Sequence, residues 1–237
     1  MARSTGGDIA VLVILLLFGA FMMLPFIYSV VQSFKPTEEI FVYPPKFFVR
    51  NPTTENYRTL SQLTDSLWIP FDRYLVNSII VTVAGTGANL AFSSMAAFVL
   101  AKYDFPGHKW LFKLVVTALL FSGPVTALPQ YIIMSKLGLI NTLWAIIIPA
   151  AGTPLGLFLL KNFMTQIPDT MLEAATIDGA GIFTVFYKIC MPLVKPAVLT
   201  LIIFSFQGLW NSTGGSFIYE EEWKLLPTIL SDVVASG

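Results

Sequence analysis

Glu173-Ala174-Ala175-Thr176-Ile177-Asp178-Gly179-Ala180 is a polar, Ala- and Gly-rich stretch set between two strongly apolar segments, residues 143–160 and 193–210. Pro168-Asp169 interrupts what precedes it. Thr170-Met171-Leu172-Glu173 fits the T-x-x-E capping box, which predicts a helix starting there. Met171, Leu172, Ala174 and Ala175 give that helix an apolar side, which Ile177 extends, and Asp178-Gly179 ends it because glycine supplies a positive φ. A second helix is expected over about 182–189, carrying Phe183, Phe186 and Tyr187, with Pro192 and Pro196 marking entry to the next apolar segment. The result is a helix, a tight turn and a helix projecting between two spans. An amphipathic helix lying on lipid headgroups would need large apolar side chains and flanking basic residues. This one has small residues and no Lys or Arg, which suits a groove on a partner protein, and the residues alone leave both readings open.

The surrounding composition names the solvent. Of 237 residues 55% are hydrophobic and only 12% charged, with a mean hydropathy of +0.73. A soluble domain carries about a quarter charged residues, so a bilayer is indicated. Lys+Arg equals Asp+Glu at 14 each, and nothing in that balance points to nucleic acid. The single Cys190 has no disulfide partner in the chain, and one Cys with one His, His108, is too little for a zinc site. There is no G-x-x-x-x-G-K-[ST] for ATP, and no cofactor is expected.

A membrane helix needs about 20 apolar residues. Five segments qualify, at about 9–31, 74–101, 110–129, 143–160 and 193–210. The first is read as an uncleaved helix, being too long for a signal-peptide core and followed by no A-x-A site. None of the five carries a charge near its centre, whereas an ion-driven carrier would be expected to hold one there. In the second, Ala84, Gly87, Ala88, Ala91, Ser94 and Ala97 recur at spacings of three and four, where helices approach closely. In the fourth, Pro149, Gly152, Pro154 and Gly156 predict a bent or locally open helix facing the bundle interior or the transport pathway. Lysines and arginines do not set the orientation: they divide equally between the two sides under either topology. Residues 35–73 form a long outer loop, irregular because of Pro36, Pro44, Pro45 and Pro52.

The pattern E-A-A-x-x-D-G-A with Phe186, Tyr187 and Met191-Pro192 closely resembles the EAA loop of the membrane subunits of bacterial ABC importers. The likeness extends to Arg73-Tyr74 with Asn77-Ser78, to Ala96-Ala97-Phe98 with Lys102, Phe105 and Gly107, and to Pro129-Gln130-Tyr131 with Leu137-Gly138-Leu139-Ile140-Asn141-Thr142. It covers about residues 26–227 and looks most like the smaller permease of maltose-type, carbohydrate-uptake systems. The resemblance implies an all-α polytopic bundle of the type I ABC importer permease fold, a single membrane domain over 1–237 in a bacterial cytoplasmic membrane, with loop 161–196 inside. It implies a second permease subunit as heterodimer partner, two ATPase subunits that hydrolyse ATP, and an extracellular solute-binding protein, the chain itself being no enzyme. Glu173 would make the polar contact to the ATPase, Ala174 and Ala175 would fit its groove, and Asp178, Gly179 and Ala180 would form the turn. The family has six spans; Leu225 to Leu230 resembles the run before the sixth, so a longer natural chain is expected.

Candidate pathway or substrate residues are Pro149, Gly152 and Pro154, with Gln207, Trp210 and Asn211 at the outer end of the fifth span. Trp210, Phe217, Tyr219 and Trp223 suit either sugar stacking or an interfacial aromatic belt, and Glu220-Glu221-Glu222 reads as a solvated run or a docking site for the binding protein. Other classes are a stand-alone secondary carrier, a membrane enzyme built on the loop residue His108, and an ABC permease for a non-sugar solute. The loop around Leu137-Gly138-Leu139 favours sugar.

Overall fold

The computed structural model describes residues 5–59, 70–121 and 123–236. Its main helices are α1 (Thr5–Ser33), α2 (Phe71–Lys102), α3 (His108–Ala118), α4 (Gly123–Lys136), α5 (Trp144–Ala151), α6 (Pro154–Thr165), α7 (Asp169–Ile177), α8 (Ile182–Leu193), α9 (Lys195–Trp210) and α10 (Leu226–Ser236). No strand occurs among the described residues. The chain divides into two compact units, Met1–Pro70 and Phe71–Gly237.

The first unit holds α1 and the start of the outer loop. Pro25 lies inside α1, and Ser29 Oγ donates to its carbonyl at 2.9 Å. Beyond α1 the described chain is mostly irregular, as its prolines dictate, with one helical turn at Thr37–Ile40 and another over residues 55–59. It is nevertheless tied down. Asn56 Nδ2 donates to the carbonyls of Ser33 (3.0 Å) and Lys35 (2.6 Å), and the buried Lys35 ammonium donates to the carbonyl of Lys46.

In the second unit α2 is the axis, with α5, α6 and α9 packed along it. Two closely packed crossings explain how. A Cβ on Gly156 of α6 would lie 2.7 Å from Ser93 Oγ and 3.0 Å from Asn89 Oδ1, and one on Gly85 would lie 2.7 Å from Leu209 Cδ1 of α9. The expected small-residue face is only partly the packed one. Ser94 and Ala97 are buried, but Ala84, Gly87 and Ala91 are exposed. The stripe that turns inward is instead largely polar: Asn77, Ser78, Thr82, Thr86, Asn89, Ser93 and Ser94. Hydrocarbon offers such groups no partners, so they turn to the protein, while apolar residues lose nothing by facing lipid. Apolar cores flank this stripe. One joins Ala97 and Phe98 to Leu160, Met164, Val185, Phe186, Cys190 and Leu201; the other joins Val81 to Leu143, Ile146, Ile147, Ile218 and Leu225.

Three helical stretches are long and apolar enough to cross a membrane: Val11–Ser33, Phe71–Lys102 and Trp144–Thr165. There are up to five if each of two bent pairs counts as one span, α3 with α4 (112°) and α8 with α9 (80°). The third expected span, 110–129, is therefore not one straight helix. Proline is accommodated in the first turn of a helix, and Pro124 accordingly sits at the start of α4, whereas Pro129 lies inside α4 instead of ending a span. The fourth span breaks at Gly152-Thr153, within the region where bending is expected. The fifth is preceded by a longer helix than 182–189, because α8 runs to Leu193 with Pro192 inside it. A π-helical turn, Val185–Cys190, comes just before that proline and already departs from the hydrogen-bond ladder a proline would break.

Candidate functional site

The α7–α8 corner is built by three local devices. The first corrects the expected capping box. Thr170 is not the cap: the helix begins one residue earlier, at Asp169, after Pro168 in extended conformation (φ −61°, ψ 133°). Asp169 thus stands at the positive end of the helix, where a carboxylate is favoured. The second device ends the helix. Gly179 has φ +86°, its amide donates to the Thr176 carbonyl (3.0 Å), and the Ala180 amide donates to that of Ala175 (2.9 Å). This is the Schellman arrangement, which only a residue tolerant of positive φ closes cheaply. The third is Lys102, at the C-terminal end of α2. Its side chain is 4% exposed, and its ammonium donates to the Ile167 carbonyl and, at 2.8 Å, to Asp169 Oδ1. In the sequence Lys102 stands out only through the resemblance, because its partner lies 67 positions away, beyond the reach of any local pattern.

The side chains of α7 divide into two faces, correcting the single apolar side expected. Leu172 and Ala175, with Ala180 beyond the turn, pack against the core under Phe98 and Phe186. Met171, Glu173, Ala174, Ile177, Asp178 and Gly179 are exposed, and so are Phe183 and Tyr187 of α8. The Glu173 carboxylate has no hydrogen bond or ion pair with the described residues. Phe186 is fixed against Phe98 with ring centroids 5.3 Å apart. Between the end of α2, α7 and the start of α8 lies a recess of about 690 Å³ whose lining includes Lys102, Glu173, Thr176 and Ile177.

The pathway candidates are brought together only in part. Pro149 and Asn211 line one cavity of about 510 Å³ with Gln130, Ser212 and Thr213. Gly152 and Pro154 line another, of about 390 Å³, with Phe92, Ser93 and Leu114. Gln207 and Trp210 line neither. Gln207 is exposed and its backbone carbonyl accepts Asn211 Nδ2 at 2.9 Å, while Trp210 stacks on Phe206 at 5.9 Å. The sequence reading passed over the polar centre of the bundle, Asn89. Its Nδ2 donates to Ser205 Oγ of α9 (2.6 Å), and its Oδ1 accepts Ser93 Oγ and Thr153 Oγ1 (2.9 Å each). The Thr153 hydroxyl also caps α6, accepting the Gly156 amide at 3.4 Å. An asparagine in mid-span was the available signal.

At the opposite end of α2 the acidic run is anchored rather than simply solvated. Asn77 Nδ2 donates to the carbonyls of Glu222 and Lys224, and Glu221 accepts from Tyr74 Oη (3.3 Å) and pairs with Lys224. Asn141, held at φ +59°, accepts the amides of Tyr219 (2.8 Å) and Glu220 (3.3 Å) on its Oδ1. Phe217 and Trp223 pack on the second core, leaving Tyr219 as the exposed ring of that loop. A hydrogen bond with Tyr131 raises the Tyr219 phenol above its ordinary pKa. No group of three or more His, Cys, Asp or Glu able to hold a metal occurs among the described residues.

A family model described as "binding-protein-dependent transport system inner membrane component" matches residues 75–218, spanning α2 through the loop after α9. The chain belongs to that family. This inner-membrane component is 34% identical over 232 residues to Protein LplC of Bacillus subtilis, covering 92% of this chain and 75% of the relative. It is 33% identical over 236 residues to the polygalacturonan/rhamnogalacturonan transport system permease protein YtcP of the same organism, covering 97% and 79%. Arabinooligosaccharides transport system permease protein AraQ of Halalkalibacterium halodurans is 30% identical over 194 residues, with coverages of 79% and 67%. In fold it matches a bacterial ABC transporter involved in the import of the acidic polysaccharide alginate, with a TM-score of 0.80 at 24% identity, over 100% of this chain and 84% of that one. The inner-membrane component is thus an all-α, multi-pass permease subunit of an ABC importer, with the type I permease fold expected from its sequence. It is a transport rather than a catalytic subunit, and membership of the family implies a solute-binding protein and an ATPase as partners.

Proposed function

We propose that this chain is one half of a heterodimeric permease that imports an oligosaccharide released from a polysaccharide, driven by two ATPase subunits docked at the α7–α8 corner. The sugar assignment is supported by the polysaccharide- and oligosaccharide-transport relatives in Bacillus and Halalkalibacterium, whose alignments cover most of the chain. The coupling assignment rests on one observation: α7 is tied to α2 through Lys102 while its outer face exposes the Ala174 side chain and a Glu173 carboxylate with no polar partner among the described residues. In this reading Glu173 supplies the polar contact to the ATPase, and Ala174 enters its groove. Ala175 and Ala180 seat the helix on the permease, and Asp178 with Gly179 fixes the angle of the corner. Closure of the ATPase pair then moves a rigid lever whose far end is α2. That requires two discrete arrangements of the interface, biased from both sides.

The test is affinity purification from the native membrane, with subunit stoichiometry and ATP hydrolysis measured on the product. Recovery with a second permease and two ATPase copies is expected from the unaltered chain, and loss of the ATPase is expected from Glu173→Ala. Retention of fully active ATPase by that variant would remove Glu173 from the interface. The solute follows from presenting oligosaccharides to the associated binding protein.

A further inference from the structure

A second cavity, sharing Lys102 and Asp169 with the recess at the α7 corner, gathers three lysines. It has a volume of about 400 Å³ and lies between the end of α2, the start of α3 and α6, with Lys102, Lys109, Lys161 and His108 in its lining. Its two carboxylates are already engaged, Asp169 by Lys102 (2.8 Å) and Asp104 by His108 (3.3 Å). Lys109 and Lys161 have no carboxylate partner among the described residues. The Lys161 ammonium lies 4.1 Å from the centroid of the Phe112 ring, a face that attracts cations without neutralising them. His108 and Lys109 are also the first two residues of α3, the end where the helix dipole is positive. One uncompensated ammonium at the start of α3, Lys109, and one reaching in from α6, Lys161, in a recess partly walled by Leu100 and Phe112, call for an anion. The next residues along α3 indicate where it comes from. Trp110, Leu111 and Leu114 are exposed at 63%, 41% and 46%, an aromatic and apolar surface of the kind that meets lipid at a membrane interface.

We infer that this cavity binds a phosphate-bearing anion, held by Lys109 and Lys161, with an anionic phospholipid headgroup or free phosphate as the source. The site adjoins the Lys102–Asp169 pair, so its occupant adds negative charge beside the ammonium that anchors α7. Occupancy is therefore coupled to the position of the corner. The inference depends on the importer reading only for its effect on transport; lipid retention stands apart from it.

The experiment uses the complete transporter in nanodiscs of phosphatidylcholine alone or with one fifth phosphatidylglycerol. Retained lipid is measured by native mass spectrometry, and binding-protein-stimulated ATP hydrolysis is measured alongside. The unaltered transporter is expected to retain phosphatidylglycerol selectively. Each lysine lost should weaken retention about fivefold, and Lys109→Gln with Lys161→Gln together about thirtyfold. Lys109→Arg with Lys161→Arg should keep it, as should Lys188→Gln, which alters a lysine outside the cavity. If the double glutamine variant does not assemble, Lys109→Gln alone carries the test, since that side chain is exposed. Stimulation by inorganic phosphate in phosphatidylcholine discs, lost in the glutamine variant, would assign the site to free phosphate. Retention by the glutamine variant equal to that of the unaltered protein would overturn the inference. Hydrolysis with no stimulation in any lipid, alongside normal retention, would instead count against the importer reading.

Discussion

Asn89 is where three helices meet on a single amide. Its oxygen accepts two hydroxyls and its nitrogen donates to a third, so α2, α6 and α9 share one hub. Asn89→Leu would leave Ser205, Ser93 and Thr153 short of partners and would press larger atoms toward Gly156. The expected loss is about 1–3 kcal/mol, nearer the lower figure because the unfolded chain in a membrane also finds partners. A fall in the thermal midpoint of the purified complex checks it, and an unchanged midpoint would mean that the hub carries no stability. The sequence named the small residues of α2 but not the face they occupy, since Ala84 and Ala91 are as comfortable against lipid as against protein. Polarity in mid-helix was the better guide, and Asn89 was legible by that rule. Gly179 was legible for a different reason: Asp-Gly after a short helix is a local signal, and its positive φ needs nothing distant.

At the scale of the element, the end of α2 and the start of α7 behave as one piece because of Lys102. Its two acceptors contribute unequally. Asp169 is 75% exposed, so that ion pair is worth at most about 1 kcal/mol. The Ile167 carbonyl is capped by an ammonium withdrawn from solvent, and removing that donor costs more. Lys102→Met is therefore expected to speed amide hydrogen exchange across α7 and to lower transport per ATP hydrolysed. Asp169→Asn should change both only slightly, and equal effects from the two would shift the weight to the ion pair. The elements themselves were largely readable, because apolar runs with prolines between them set their limits. The exceptions were prolines and caps in company. Pro168 supplies an extended entry to α7 and makes Thr170 unnecessary as a cap, and the π-helical turn lets α8 continue through Pro192. Both depend on neighbours that a pattern of residue types does not weigh.

Over the whole second unit, apolar cores pack on α2 at Val81 and at Ala97-Phe98, and the inward polar stripe runs along it from Asn77 to Ser94. All seven members of that stripe are amides or hydroxyls, and from Tyr74 to Ala101 the helix has no charged side chain. A voltage sensor works by the opposite arrangement, in which each elementary charge carried through the field is worth about 2.3 kcal/mol per 100 mV. Turning or tilting α2 displaces no side-chain charge through that field. Sugar uptake by reconstituted transporter should accordingly proceed at the same rate whether a potassium diffusion potential is imposed inside-negative, inside-positive or not at all. The cell's electrical state then has no hold on α2, and the work that moves this helix must reach it mechanically, through the elements packed against it.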